Sequence, residues 1–363
     1  MPKLAYVYRG RALAVAVITG LLLASCGSPA ATPAGTPAGT SGPTGSAPAS
    51  SAEGVTLPAP EVTDLTIVTS VPEAATIMIK LADDLGLYQK YGIENVEILV
   101  LDSGTLQPLV SGQAQVALSS PNSTLLTLNT ESPLIDVAVT NNRFLDVILA
   151  GTEIRTADDL RGKKIAISAI GGQAHAEVLV ALEGLGLTAG DVSILQVGGQ
   201  SDRVAALVSG AVDAIPVEGA VAEDLTAEGY NILLDLTESD VPFAVGSIEF
   251  TRAFTEQNPN TVLAFVAANL EAMQIIAEDT ETAAESLAGW AQLDQADAVA
   301  AIEGFQQVIQ RDMRWTQEGY ENALEIVIVQ NPDLANVDVT QGYTFEYLDR
   351  LEEMGFNDQI GVP

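Results

Sequence analysis

The chain has 363 residues, 47% hydrophobic and 17% charged, and its 15 Lys plus Arg against 48 Asp plus Glu give a formal net charge of −33. That sign excludes a nucleic-acid partner, whose phosphates demand an excess of bases, and suits solubility in an external, salty medium. Cys26 is the only cysteine, so no disulfide can form within the chain.

Residues 1–25 have the layout of a cleaved export signal. Lys3, Arg9 and Arg11 precede the apolar run Ala12 to Leu23, which is too short to span a bilayer. Leu23-Ala24-Ser25-Cys26 resembles the lipobox of bacterial lipoproteins. The resemblance implies that the Cys26 thiol is diacylated and becomes the mature amino terminus, anchored to the cell membrane outside the cytoplasm. Loss of the signal leaves 12 basic residues against 48 acidic ones. Residues 26–60 continue as an Ala/Pro/Gly/Ser/Thr linker with repeats such as Thr32-Pro33-Ala34-Gly35-Thr36. Such a composition buries too little apolar surface to offset its ordering entropy. As a coil it would span about 30 Å.

From Glu61 onward the pattern alternates strand and helix, which predicts an α/β body of two lobes. Leu65 to Thr69 reads as a strand. Ser70-Val71-Pro72-Glu73 has capping-box spacing, and a helix through Ile77, Ile79, Leu81 and Leu85 stops at Gly86. Val96 to Val100 is the next strand, followed by a short helix ending at Gly112 and a strand from Gln115 to Ser119. Ser120-Pro121 opens another helix. The unit recurs about a hundred residues on. Glu97 to Val100 leads through Leu109-Val110-Ser111-Gly112 to Ala117-Leu118-Ser119, and Ser193 to Val197 leads through Leu207-Val208-Ser209-Gly210 to Ala214-Ile215-Pro216. The shared order predicts topologically related lobes. In open parallel sheets a ligand sits beyond the carboxyl ends of the strands, which here places it between the lobes.

Several segments resemble the sulfonate-, nitrate- and thiamine-precursor-type substrate-binding proteins of ABC importers. They are Leu85-Gly86-Leu87-Tyr88-Gln89-Lys90-Tyr91-Gly92-Ile93, Leu109 to Ala117 (with Gln115 where an acid is usual), Asp159-Leu160-Arg161-Gly162-Lys163-Lys164-Ile165-Ala166, Gly171-Gly172-Gln173-Ala174-His175 and Val208 to Ala214. The resemblance implies a two-lobe type II periplasmic-binding-protein, or venus-flytrap, fold. It places the first lobe at 61–150 plus 248–363 and the second at 151–247, with crossings at Ala150-Gly151-Thr152 and Val245-Gly246-Ser247. In the carboxyl-terminal region, Val262, Phe265, Val266, Leu270, Met273 and Ile276 form one apolar helical stripe. Trp290, Phe305 and Trp315 are expected to pack on such helices rather than to hold ligand.

Topology and resemblance together select the ligand contacts. Ser70 and Glu73 follow the first strand, and Ser119, Ser120 and Asn122 follow the recurrent strand of the first lobe. Gly171, Gly172, Gln173 and His175 form the second-lobe turn, and Glu218 follows its recurrent strand. Each has a structural alternative: Ser70, Glu73 and Ser120 as helix caps, the glycines as a sharp turn, His175 as a hydrogen-bonding core residue, Glu218 as a solvated acid. The lining is amide, hydroxyl and carboxylate, which suits a neutral or weakly basic ligand with several donors. Within the family it points to a heteroaromatic vitamin or precursor, riboflavin first and thiamine pyrimidine second. Entry of Arg143 or Arg203 into the cleft would favour sulfonate or nitrate instead.

The expected activity is capture without chemistry. The chain requires no cofactor and no metal, works as a monomer, and delivers its ligand to an ABC permease driven by a cytoplasmic ATPase. A thiamine-pyrimidine-synthase-like enzyme is the first alternative from another class, but export and the lone His175 oppose that chemistry. No G-x-S-x-G elbow or P-loop lysine motif is present. A lipid-anchored sensor or adhesion module is the other.

Overall fold

The computed structural model describes residues 54–69, 72–101, 105–168, 170, 172–239, 241–329 and 331–363. Cys26, the expected export segment, most of the expected linker, Ser70 and Gly171 lie outside the described residues.

The short apolar runs become the strands of two mixed sheets. The first contains β1 (Asp64–Thr69), β2 (Asn95–Val100), β3 (Val116–Ser119), β4 (Leu134–Asn141) and β10 (Gly246–Thr251), in the order β2-β1-β3-β10-β4. The second contains β5 (Asp146–Ala150), β6 (Lys164–Ile167), β7 (Ser193–Gln196), β8 (Ala214–Glu218) and β9 (Asn231–Asp235), in the order β7-β6-β8-β5-β9. Each sheet has three parallel strands connected by crossover helices. Each is then completed by an antiparallel strand arriving from the other half of the chain: β10 beside β3, and β5 beside β8. The repeat in the sequence is thus a repeat in topology. Gly112 and Gly210 end the two equivalent helices with φ of 74° and 72°, a left-handed conformation that favours glycine. Leu109 and Leu207 are buried at matching places.

The sheets divide the chain differently from the boundaries expected at 150 and 151. The strand Asp146–Ala150 pairs with β8 and β9, so the chain leaves the first sheet at Asn142–Leu145. An apolar strand carries no mark of the sheet it will join, and Leu145-Asp146-Val147-Ile148 reads equally well as the tail of one lobe or the head of the next. The return crossing runs from Leu236 to Val245, just ahead of β10. Phe144 and Phe243 bring the two crossings into contact, with ring centroids 4.7 Å apart.

The carboxyl-terminal helices are also divided. Helix Pro259–Glu278 buries Val262, Phe265, Val266, Leu270, Met273 and Ile276 in the first-lobe core with Ile67, Ile79, Tyr88 and Phe250. It is long and apolar enough to cross a membrane, but 78% of its apolar window is buried within the protein. Phe305 lies in the same core and Trp290 packs against it. Helix Gln317–Ile328, placed by sequence with the first lobe, instead puts Tyr320, Ala323 and Val327 in one cluster with Ile148, Ile165 and Ala176 of the second. Trp315 packs there too, stacked on Tyr320 at 5.8 Å. At Gly319 that helix meets the return crossing, and a Cβ there would lie 3.3 Å from the backbone nitrogens of Phe243 and Ala244.

The folded body begins before residue 60. Val55 and Leu57 pack against the first-lobe core, and the Val55 N–H donates to Gln359 Oε1 at 2.5 Å. Glu61 then accepts the N–H groups of Asn260 and Thr261, at 3.0 and 2.8 Å, which caps helix Pro259–Glu278 from a distant part of the chain.

Candidate ligand-binding cleft

The loops after β1, β3, β6 and β8 leave the carboxyl ends of parallel strands, where an α/β sheet presents its ligand groups. On the first lobe, Glu73 is the N-cap of the turn Ala74–Thr76 and its N–H donates to Thr76 Oγ1 at 3.3 Å. Ser119 ends β3, with its Oγ 2.9 Å from Ser123 Oγ. Ser120 is the N-cap of helix Pro121–Thr127 and accepts the Asn122 N–H at 3.4 Å, so its structural role is real. Asn122 is buried beside it.

On the second lobe, Gly172 is the N-cap of helix Gln173–Gly184. Gln173 opens the helix, exposed, and its Nε2 donates to Glu177 Oε1 at 2.8 Å. His175 is buried, and that burial lowers its pKa. Glu218 ends β8 directly opposite Asp146, the first residue of β5, and its side chain is exposed.

Three further residues complete this wall: Asp146 and Glu177, which sequence reasoning missed, and Arg203, one of the two arginines it named for the cleft. Asp146 and Glu177 are 7% and 1% exposed, and their carboxyl groups hydrogen-bond to each other. Arg203 is 6% exposed, and its guanidinium donates to the carbonyls of Pro216 at 3.2 Å and Gly198 at 3.3 Å. A signal was present for the two acids: each is alone in an apolar run, Phe144-Leu145-Asp146-Val147-Ile148 and Ala176-Glu177-Val178-Leu179. A lone acid in such a run either faces a cleft or needs a buried partner.

The electrostatics follow from crowding these acids. Burial first, then the charges of Glu177 and Glu218, holds Asp146 well above the usual carboxylate range. Burial also raises Glu177, against bonds from Gln173 and Asp146. Glu218 is raised by burial against Gln200 and Arg203; its side chain meets cleft solvent, yet the surrounding protein still desolvates it. Glu73 comes from the other lobe. Burial, then Glu218, then Glu177 pushes it up to about 7. Four carboxyl groups therefore share one field, and the Arg203 guanidinium, which donates its hydrogen bonds to backbone carbonyls, offsets three of them only in part. A group that donates hydrogen bonds to this wall is favoured, and an anion meets repulsion.

The NMT1/THI5-like family description matches residues 74–283, more than half of the chain and every strand after β1. The chain belongs to the NMT1/THI5-like family. It is 29% identical over 275 residues to the riboflavin-binding protein RibY of Chloroflexus aurantiacus, covering 72% of this chain and 73% of that one. Among solved structures, the periplasmic aliphatic sulphonate-binding protein SsuA of Escherichia coli superposes with a TM-score of 0.63 at 20% identity, over 77% of this chain and 91% of that one. The periplasmic nitrate-binding protein NrtA of Synechocystis PCC 6803 does so with a TM-score of 0.65 at 17% identity, over 84% and 92%. Those two likenesses establish the fold: the two sheets are the two lobes of the periplasmic-binding-protein fold, as the sequence motifs implied.

Proposed function

We propose that the chain is the extracytoplasmic solute-binding component of an ABC importer, tethered through a diacylated Cys26. Its ligand is a neutral or weakly basic heteroaromatic solute, riboflavin first and thiamine pyrimidine second. The carrying observation is the carboxyl wall of Asp146, Glu177 and Glu218 facing Glu73, with Arg203 committed to carbonyls. Riboflavin has an imide N–H and a polyol chain to donate to such a wall. The likeness to RibY supports the choice. Binding needs no covalent step: contacts from both lobes favour the closed state in proportion to their difference between open and closed. The loaded protein then docks on a permease.

Sulfonate or nitrate is the second reading. Arg143, half-buried in the first crossing, favours it, because its guanidinium makes no hydrogen bond or ion pair among the described residues. The test is a riboflavin titration of residues 54–363, following flavin fluorescence and thermal unfolding together, with taurine, nitrate and thiamine pyrimidine in parallel. Saturable quenching with a stabilisation of about 2.7 kcal/mol at a hundredfold excess over Kd is expected. Taurine or nitrate stabilisation without any riboflavin signal would overturn it. For the anchor, Cys26→Ser should move the full chain from the membrane to the soluble fraction and abolish acyl labelling.

A further inference from the structure

The first lobe holds a second acid pair, away from the carboxyl wall. β10 places Glu249 opposite Asp136 of β4, and both side chains are 0% exposed. Thr124 Oγ1 donates to Asp136 Oδ1 and the Tyr320 hydroxyl lies at Asp136 Oδ2, each at 2.6 Å. Ser247 Oγ lies 3.4 Å from Glu249 Oε1, and Ser123 also hydrogen-bonds to Glu249. Glu249 Oε2 has no partner among the described residues. The groups facing the pair are Ser123 and Thr124 from helix Pro121–Thr127, Ser247 from β10, Tyr320 from helix Gln317–Ile328, and the Tyr343 backbone bridged to Asp136. Tyr320 is the titratable one, and no cation pairs with either acid among the described residues.

Two bare carboxylates in that enclosure would be uncompensated buried charge. The Tyr320 oxygen offers a geometric clue, since it lies 2.6 Å from Asp136 Oδ2 and 3.2 Å from the Gly342 carbonyl. The Tyr320 hydroxyl donates to Asp136 Oδ2 with the Gly342 carbonyl as a second, longer acceptor, and no cation among the described residues offsets a charge on either acid, so a retained proton relieves the enclosure. The network also leads outward: Ser123, which bonds Glu249, is 2.9 Å from Ser119 at the end of β3.

We propose that the Asp136 and Glu249 pair keeps a proton at neutral pH and acts as a buried hub, coupling the ligand loop Ser119–Asn122 through Ser123 to helix Gln317–Ile328 through Tyr320. Loss of that proton leaves two like charges opposite each other and shifts the loop. Both are positioning residues, and the hub does not depend on which solute the cleft takes. Burial foremost pushes Asp136 up to about 7, and burial and then the Asp136 charge drive Glu249 well above its ordinary value. The pair titrates as a unit.

The test is nuclear magnetic resonance of the full chain between about pH 5.5 and about pH 8.5, with carbon-labelled Asp and Glu and nitrogen-labelled amides. One carboxyl resonance of the pair should stay protonated to about pH 7, and the Ser119, Ser120 and Asn122 amides should shift with the same midpoint. Glu249→Gln should abolish that midpoint in the loop, as should Asp136→Asn. Two carboxyls already ionised at the acid end of that range would overturn the proposal, and so would loop shifts unchanged in Glu249→Gln. If either variant fails to fold, the wild-type carboxyl titration alone decides. Riboflavin affinity measured in parallel separates the two hypotheses, because absent binding with an intact titration rejects the ligand and keeps the hub.

Discussion

Glu73 and Glu218 belong to opposite sheets, yet after burial the charge of Glu218 is the largest influence holding Glu73 protonated. The loop after β1 and the end of β8 are therefore electrostatic neighbours although 145 positions separate them. Bringing the lobes together brings acids together. A solute that donates to both relieves that repulsion, so capture and closure favour each other.

The first consequence is a pH dependence of stability. Glu73 has a folded-state pKa of about 7 against an ordinary 4.5, so the folded protein binds more protons there than the unfolded chain. Its contribution is complete below the ordinary value and is lost as the pH rises through about 7. Glu73→Gln should flatten the fall in Tm between about pH 5 and about pH 8 by about 2 °C, a value reduced because solvent reaches part of the side chain. Melting curves across that range check it, and an unchanged slope would rule out the charge account.

Glu218 is exposed and caps no helix through its side chain, so it should matter more to ligand than to fold. Glu218→Gln is expected to weaken riboflavin binding by about tenfold, the loss of one charge-assisted hydrogen bond, with Tm nearly unchanged. Isothermal titration of both proteins gives the ratio. Equal affinities would remove Glu218 from the site.

Arg203 is the counterweight to three acids. Replacing it as Arg203→Met should cost about 3 kcal/mol near neutral pH, because Asp146, Glu177 and Glu218 lose a favourable charge and two carbonyls lose a donor. At acid pH, with those carboxyls protonated, the cost should shrink. Urea unfolding at two pH values measures the difference, and a pH-independent loss would mean that the residue acts through packing alone.

Gly319 is where helix Gln317–Ile328 rests on the return crossing. The backbone there is pinned, since Ala244 N–H donates to the Gly319 carbonyl and Phe243 N–H to that of Asn142, both at 3.2 Å. A methyl group 3.3 Å from both backbone nitrogens has little room to be accommodated. Gly319→Ala should destabilise by about 1 kcal/mol even after the gain in helix propensity. A stabilised variant would show that the crossing yields.

Much of this was legible in residue order. The strand starts, the Gly86, Gly112 and Gly210 stops, and the stripe from Val262 to Ile276 all follow from local periodicity and turn chemistry, which depend on near neighbours in sequence. The loops after β1, β3, β6 and β8 could be named as candidate ligand loops because parallel topology alone puts them at the carboxyl ends of the strands of their two sheets. What those loops hold was less visible. Ser120 and Gly172 cap helices, while Asp146 and Glu177 went unnoticed because neither has a local signature beyond one polar residue among apolar neighbours, and Arg203 was named without the acids that surround it.

The sequence by itself determined the kind of protein: an α/β body of two related lobes, preceded by a segment with the layout of an export signal and a stretch rich in small residues. Those features are written in composition, period and repeat. Only the tertiary structure decided which sheet takes β5, that helix Gln317–Ile328 joins the second-lobe core, and which acids share a field. Sheet membership is fixed by pairing between distant strands, and a carboxyl's proton affinity by charges that arrive from other elements. Neither quantity is local, so neither can be read from a window of neighbouring residues.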